Sequence, residues 1–169
     1  MTSNLKDRNI KQYFMDVTYY AIPSNNSDYK LLILIGFNVE EKLSKLCMIS
    51  IIRNENIETF STILEYLKIN FGFYPKIITT DCQKAEIIAV RKIFPDTKNI
   101  ICYYHIIKRC VLHLPELKSK NKYLKNKAQD MLSNIKMLLF IDINSVDSFF
   151  EKIKHKYNSS VPKFIKYRL

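Results

Sequence analysis

The feature that most constrains this chain is a change of hydrophobic period near residue 56. Before it, apolar side chains come in short, nearly continuous blocks. After it, they recur every three or four positions, with short apolar runs set between such stretches. Three blocks precede the change. Gln12–Ala21 is rich in Tyr, Phe, Val and Thr, Tyr29–Asn38 is almost wholly apolar, and Lys45–Arg53 has the same character. β-Branched and aromatic side chains suit a pleated, half-buried surface, so each block predicts a strand. The turn signal PSNNSD at Pro23–Asp28 and the polar break at Glu40–Ser44 make the connectors short, which predicts an antiparallel meander.

Beyond residue 56 the spacing becomes helical. Phe60, Ile63, Leu64, Leu67 and Phe71 share one face of a helix over 56–71, and Gly72 is placed to close it in a left-handed conformation. Lys76–Thr80 (KIITT) reads as a short strand. Cys82–Phe94 reads as a helix with Ala85, Ile88, Ala89 and Ile93 on one face, ended by Pro95-Asp96. Thr97–Cys102 is another short strand, and Tyr104–Leu114 is helical again. The order β-β-β-α-β-α-β-α predicts an α/β fold with a mixed sheet, since strands separated by a helix pair in parallel through crossovers. After Pro115 the pattern is helical throughout: Glu116–Phe140, Asn144–Tyr157 and the start of a further helix at Val161–Leu169. The expected organisation is therefore a core over 1–115 and a basic helical region over 116–169.

Several functions are excluded by what is scarce. The chain has two glycines, so Gly-rich phosphate loops of the Walker or Rossmann kind have no material. Its longest apolar runs, 31–35 and 46–52, fall far short of the roughly 20 residues that span a bilayer. The charged N-terminus, MTSNLKDRNIKQYF, lacks a signal-peptide core, which leads to the expectation of an intracellular protein without membrane contact. The four cysteines then read as thiols or ligands rather than disulfides. The net charge is +11, and residues 114–169 hold 12 Lys and Arg against 5 acids. Such a surface suits a polyanion such as DNA, with Lys118, Lys120, Lys122, Lys125 and Lys127 as candidate contacts. The plainer alternative is a solvated helix face, in a chain crowded with Lys, Asn and Ile, whose codons are AT-rich.

Two aspartates stand out by position. Asp16 interrupts the apolar run MDVTYY, where a carboxylate needs a reason. Asp81 follows the KIITT strand where the chain enters a helix, and ligands of open α/β sheets gather beyond the carboxyl ends of strands. Should the first strand pair with KIITT, both carboxylates meet at one edge. Their mutual repulsion is relieved by a divalent cation, and hard oxygen ligands suit Mg²⁺ or Mn²⁺. The ordinary alternatives are a strand-edge residue for Asp16 and a helix N-cap for Asp81.

The ordered set MDVTYYAIP (15–23), KLLILIGFN (30–38), NIETFSTILEYLK (56–68) and IITTDCQKAEIIAVRKIFPDTKNIICYYH (77–105) resembles the Mutator-like (MULE) transposases. An Asp-x-Thr strand, a meander, a helix opened by an acid and a Thr, a Thr-Asp before an Ala-bearing helix, a Phe-Pro turn and Cys-x-x-His occur in order over about residues 12–115. The resemblance implies a ribonuclease H-like fold and a DDE-type enzyme that cleaves DNA and transfers strands with Mg²⁺ or Mn²⁺. It maps the first two metal-binding acids onto Asp16 and Asp81, with Thr18 in support, and Cys-x-x-His onto Cys102 and His105. His105 would then contact substrate phosphate or brace the site. DNA, and further transposase chains, are the implied partners, and the nucleus is the implied location. The family's third acid, a Glu on a helix beyond the insertion, has no counterpart that fits. Glu151, in SFFEKIKHKY, is the least poor substitute and sits among lysines. On this reading the isolated chain is expected to be a catalytically incomplete transposase-derived domain, truncated at its C-terminus, with apolar surface left on one sheet face. The alternatives are a DNA-binding or interaction module without catalysis, or a decayed transposon fragment.

Zinc is the competing metal. Cys102, His105, Cys110 and His113 form C-x2-H-x4-C-x2-H, an acceptable ligand set. Three of the four fall on one predicted helix, where His105 is turned from Cys110 by about 140°. They would not converge without breaking that helix, so zinc is not expected.

Overall fold

Each hydrophobic block becomes a strand of one sheet. The computed structural model describes residues 4–5, 7–19, 28–138 and 140–157. The strands are β1 (Ile10–Thr18), β2 (Lys30–Asn38), β3 (Leu43–Ile52), β4 (Ile77–Thr80) and β5 (Lys98–Ile101), and the helices are α1 (Ile57–Phe71), α2 (Lys84–Ile93), α3 (Tyr103–Leu112), α4 (Lys122–Met137) and α5 (Val146–Tyr157). The chain divides into two compact units, Met1–Cys102 and Tyr103–Leu169. The expected turn at 23–27, the strand residues Tyr20 and Ala21 and the expected helix at 161–169 lie outside the described residues.

The first unit is a mixed five-stranded sheet in the order β3-β2-β1-β4-β5. The meander pairs antiparallel, β1 with β2 and β2 with β3. The alternating part pairs parallel, β1 with β4 and β4 with β5. Strand β1 is thus the seam between the two modes. Its Gln12 amide donates to the Thr79 hydroxyl at 2.8 Å across 67 residues of sequence. Period-two alternation puts Tyr13 and Met15 in the core and leaves Phe14 and Asp16 on the opposite face. That opposite face also carries Ile49 and Ile51, which are exposed.

Helix α1 forms where the period changes. The Asn56 side chain caps it by accepting from the Thr59 amide at 2.8 Å, and Gly72 closes it at φ 61°, the left-handed conformation that glycine adopts without strain. Phe60, Leu64 and Leu67 are buried as their spacing predicts, and Ile63 and Phe71 pack partly buried beside them. Helix α2 differs from expectation. Its buried positions are Glu86, Ala89, Val90 and Ile93, while Ile88 is exposed. These four hold the ideal i, i+3, i+4, i+7 spacing. Ala89 and Ile93 are buried as expected and Ala85 packs partly buried against the core, so treating Glu86 as a surface residue misses Glu86 and Val90 and wrongly includes Ile88. The core includes the edge-to-face series Tyr13–Phe73–Phe94, with centroids 4.8 and 5.7 Å apart.

The second unit is helical. Cys110 and Leu114 join Met131, Ile135, Ile153 and Tyr157 in its core. The expected single helix over 116–140 is instead a short 3-10 turn, Pro115–Lys118, followed by α4. The break has a local cause. Asn121 caps α4 by accepting from the Tyr123 and Leu124 amides at 3.0 and 3.3 Å, a bond that competes with continuous helix. Asp130 ties α4 to α5, accepting from the Tyr157 hydroxyl at 2.5 Å and from Lys156 at 2.8 Å.

Candidate carboxylate site

The parallel ladder between β1 and β4 runs Gln12–Ile77, Tyr13–Ile78, Phe14–Thr79. The pairing stops there, with Asp16 two residues further along β1 and Asp81 the first residue past the end of β4. Alternation puts Asp16 on the Phe14 face of β1, and both aspartates lie toward the carboxyl ends of neighbouring parallel strands. Strand β4 stops at Thr80, and the chain turns into α2. Within that turn the Asp81 carboxylate accepts from the Cys82 amide, and the Asp81 amide donates to Glu86 at 3.1 Å.

Glu86 is the functional-site neighbour that sequence reasoning passed over. It is 1% exposed. Burial pushes its carboxyl up to about 8, the Asp81 amide works against that rise, and the negative charges of Asp81, Asp16 and Glu55 add to it. A signal for Glu86 existed: it is the third residue of α2, the position from which a Glu reaches back toward the helix start in a capping box.

A second acid, Glu55, stands nearby. Burial opposes its charge, yet hydrogen bonds from Lys30 and Tyr19, the Lys30 charge and Gln83 outweigh this and hold its carboxyl below the ordinary range. Tyr19 is pushed up to about 12, chiefly because its hydroxyl donates to Glu55 at 2.6 Å, with burial and the charges of Glu55, Asp81 and Glu86 adding to it. Thr18 ends β1, its hydroxyl donating to the Tyr19 carbonyl at 3.4 Å.

The remaining candidates fall elsewhere. Cys102 is a half-buried thiol just past β5, and its amide donates to the Thr80 carbonyl at 2.7 Å, which pins the strand end beside Asp81. His105 lies in α3 of the second unit, half-buried, with its ring against Tyr104 at 5.4 Å. Cys110 is enclosed in the second core. Lys118, Lys120, Lys122 and Lys125 are exposed, whereas Lys127 is half-buried with its ammonium 4.8 Å from the Tyr123 ring centroid. Glu151 is exposed on α5 and pairs with Lys154 one turn on. Among the described residues, no three His, Cys, Asp or Glu side chains are grouped so as to hold a metal ion. No described helix is long and apolar enough to cross a membrane.

Among curated proteins, none matches the chain. A family model described as the MULE transposase domain matches residues 13–109. The matched span runs from within β1 through β5 and most of α3, and takes in both aspartates, Glu86, Cys102 and His105. It is more than half of the sequence, and the chain belongs to the MULE transposase domain family.

Proposed function

We propose that residues 1–115 are the ribonuclease H-like core of a DDE-type transposase and 116–169 a helical insertion, and that Asp16 and Asp81 are divalent-metal ligands. The observation that supports this reading is the parallel pairing of β1 with β4, which brings Asp16, near the end of one strand, and Asp81, just past the end of the other, to the same edge of the sheet. Transposase domains of this family generally depend on divalent metal. The donor set fits by its chemistry: hard carboxylate oxygens suit Mg²⁺ or Mn²⁺. When bound, such an ion supplies charge neutralisation at a scissile phosphate and activation of the attacking oxygen. The chain's own groups orient the site. Asp16 is held in a strand paired on β2, Asp81 by the Cys82 and Glu86 contacts, and the strand end beneath it by the Cys102 amide. Thr18 supports the end of β1. The reaction is hydrolysis of a DNA phosphodiester followed by attack of the freed 3′ hydroxyl on a second DNA, in the nucleus. A third carboxylate ligand is needed for that chemistry, and exposed, ion-paired Glu151 is a poor one.

A calorimetric Mn²⁺ titration tests the reading. Wild type binds, and the Asp16→Ala/Asp81→Ala double variant loses at least roughly tenfold in affinity while keeping its fold. Equal affinity in both would remove the two aspartates from the site.

The exposed row Lys118, Lys120, Lys122 and Lys125 favours a second reading, in which the helical unit contacts DNA phosphates with or without catalysis. DNA affinity then falls steeply with salt. Changing the four to Gln flattens the log–log slope by roughly 3 to 4, at about 0.9 per phosphate contact. A slope that the four changes leave untouched would sink this reading.

A further inference from the structure

A position this deeply enclosed, in register with Ala89, Val90 and Ile93 on the inner face of α2, ordinarily carries an apolar side chain. Here it carries Glu86, and the side chain has a defined task. Its Oε2 accepts from the Asp81 amide at 3.1 Å. Gln83, the residue at the helix start, makes no side-chain cap, so Glu86 reaches past it to the first residue beyond the strand. The Asp81 carboxylate in turn accepts from the next amide, that of Cys82, and the Thr80 carbonyl just before it takes the Cys102 amide at 2.7 Å. The turn bearing Asp81 is therefore held from below by Glu86, from within by Asp81 itself and from the side by β5. Of these three, Glu86 alone is a side chain supplied from another element, and its removal leaves the part-buried Asp81 amide without that acceptor.

We propose that Glu86 is a positioning residue for the Asp16–Asp81 site: as a buried acceptor beneath the β4–α2 turn, it fixes the Asp81 peptide and so the direction in which the Asp81 carboxylate leaves the sheet. The functional half of this statement rests on the reading of Asp16 and Asp81 as metal ligands. Glu86 itself donates no ligand atom. It acts through Asp81, as outer groups that orient metal ligands do.

The test uses the full chain, ¹⁵N-labelled, as wild type, Glu86→Gln and Glu86→Leu, with Glu86→Met as a second variant lacking an acceptor should the leucine fail to fold. Protection of the Ile78 and Thr79 amides reports that β4 is intact. Hydrogen exchange at the Asp81 amide reports the turn, and Mn²⁺ calorimetry reports the site. In Glu86→Leu, the Asp81 amide exchanges at least roughly tenfold faster with β4 protected, and Mn²⁺ affinity falls roughly tenfold or more. Glu86→Gln, whose amide oxygen still accepts, stays close to wild type in both. Unchanged exchange at Asp81 in Glu86→Leu overturns the proposal, as does a glutamine variant that behaves like the leucine, or lost protection with unchanged Mn²⁺ affinity. Should wild type itself bind no Mn²⁺, the metal reading fails, and exchange at Asp81 still decides whether Glu86 holds the turn.

Discussion

In metal-free buffer the first unit loses stability as the pH rises from about 5 to about 8, and Glu86→Gln removes most of that loss. The sign follows from proton counts. The Glu86 carboxyl is raised from 4.5 to about 8 in the folded chain, first by burial and then by the neighbouring acids. Between those two values the folded state keeps a proton that the unfolded chain has released, so each step up in pH favours unfolding. The contribution is whole below 4.5, is lost as the pH climbs through about 8, and changes no further above it. At about 1.4 kcal/mol for each pH step of one, the full window amounts to roughly 3 to 5 kcal/mol. The side chain is too enclosed for solvent to screen much of this. Hydrogen exchange at the Leu32, Leu34 and Ile78 amides measures the opening free energy of this unit directly. A wild-type profile parallel to that of Glu86→Gln across the window would contradict the burial argument. The glutamine is a fair comparison because it keeps the shape and the acceptor while having no proton to release.

Phe60→Ala has the other large effect. Phe60 is 0% exposed, on the inner face of α1 among Leu64, Leu67 and the β2 residues Leu32 and Leu34. Removing a buried ring takes away its transfer free energy and leaves a cavity that close packing refills incompletely, which together cost about 3 to 5 kcal/mol. That is a large share of the roughly 5 to 15 kcal/mol that holds a domain together. The same exchange measurement reads it. Ile69→Ala on the same helix, at a position 73% exposed, changes stability by about 0.5 kcal/mol or less. Similar losses in the two variants would mean that α1 does not seat on the sheet as described.

The strand and helix order was legible because two different periods sit side by side in this chain. Blocks at 12–21, 29–38 and 45–53 match β1, β2 and β3 to within a few residues, and Asn56 and Gly72 mark both ends of α1 by their own chemistry. The pairing of β1 with β4 was legible as a condition, since two aspartates at strand ends make sense together if those strands are neighbours, as they are. Other features were hidden for physical reasons. The inner face of α2 includes a carboxylate, and a hydropathy pattern treats every carboxylate as a surface group. The helix expected at 116–140 ignores Asn121, whose side chain offers the backbone a bond that helix continuation does not. Glu55 could not be ranked above other acids, because its significance depends on Tyr19 arriving from just past β1 and Lys30 from β2.

The seam at β1 has a consequence for how the chain acquires its shape. Strands β1, β2 and β3 are neighbours in sequence as well as in space, so they can zip together early with little loop entropy to overcome. The parallel partner β4 arrives from across 67 residues, after the whole of α1 has been made. Contacts of such separation form slowly. During that interval β1 presents a bare edge, and that edge is the one bearing Asp16. An unpaired edge is a template for other strands. A nascent chain of this kind is therefore most open to mispairing along β1, before β4 covers that edge.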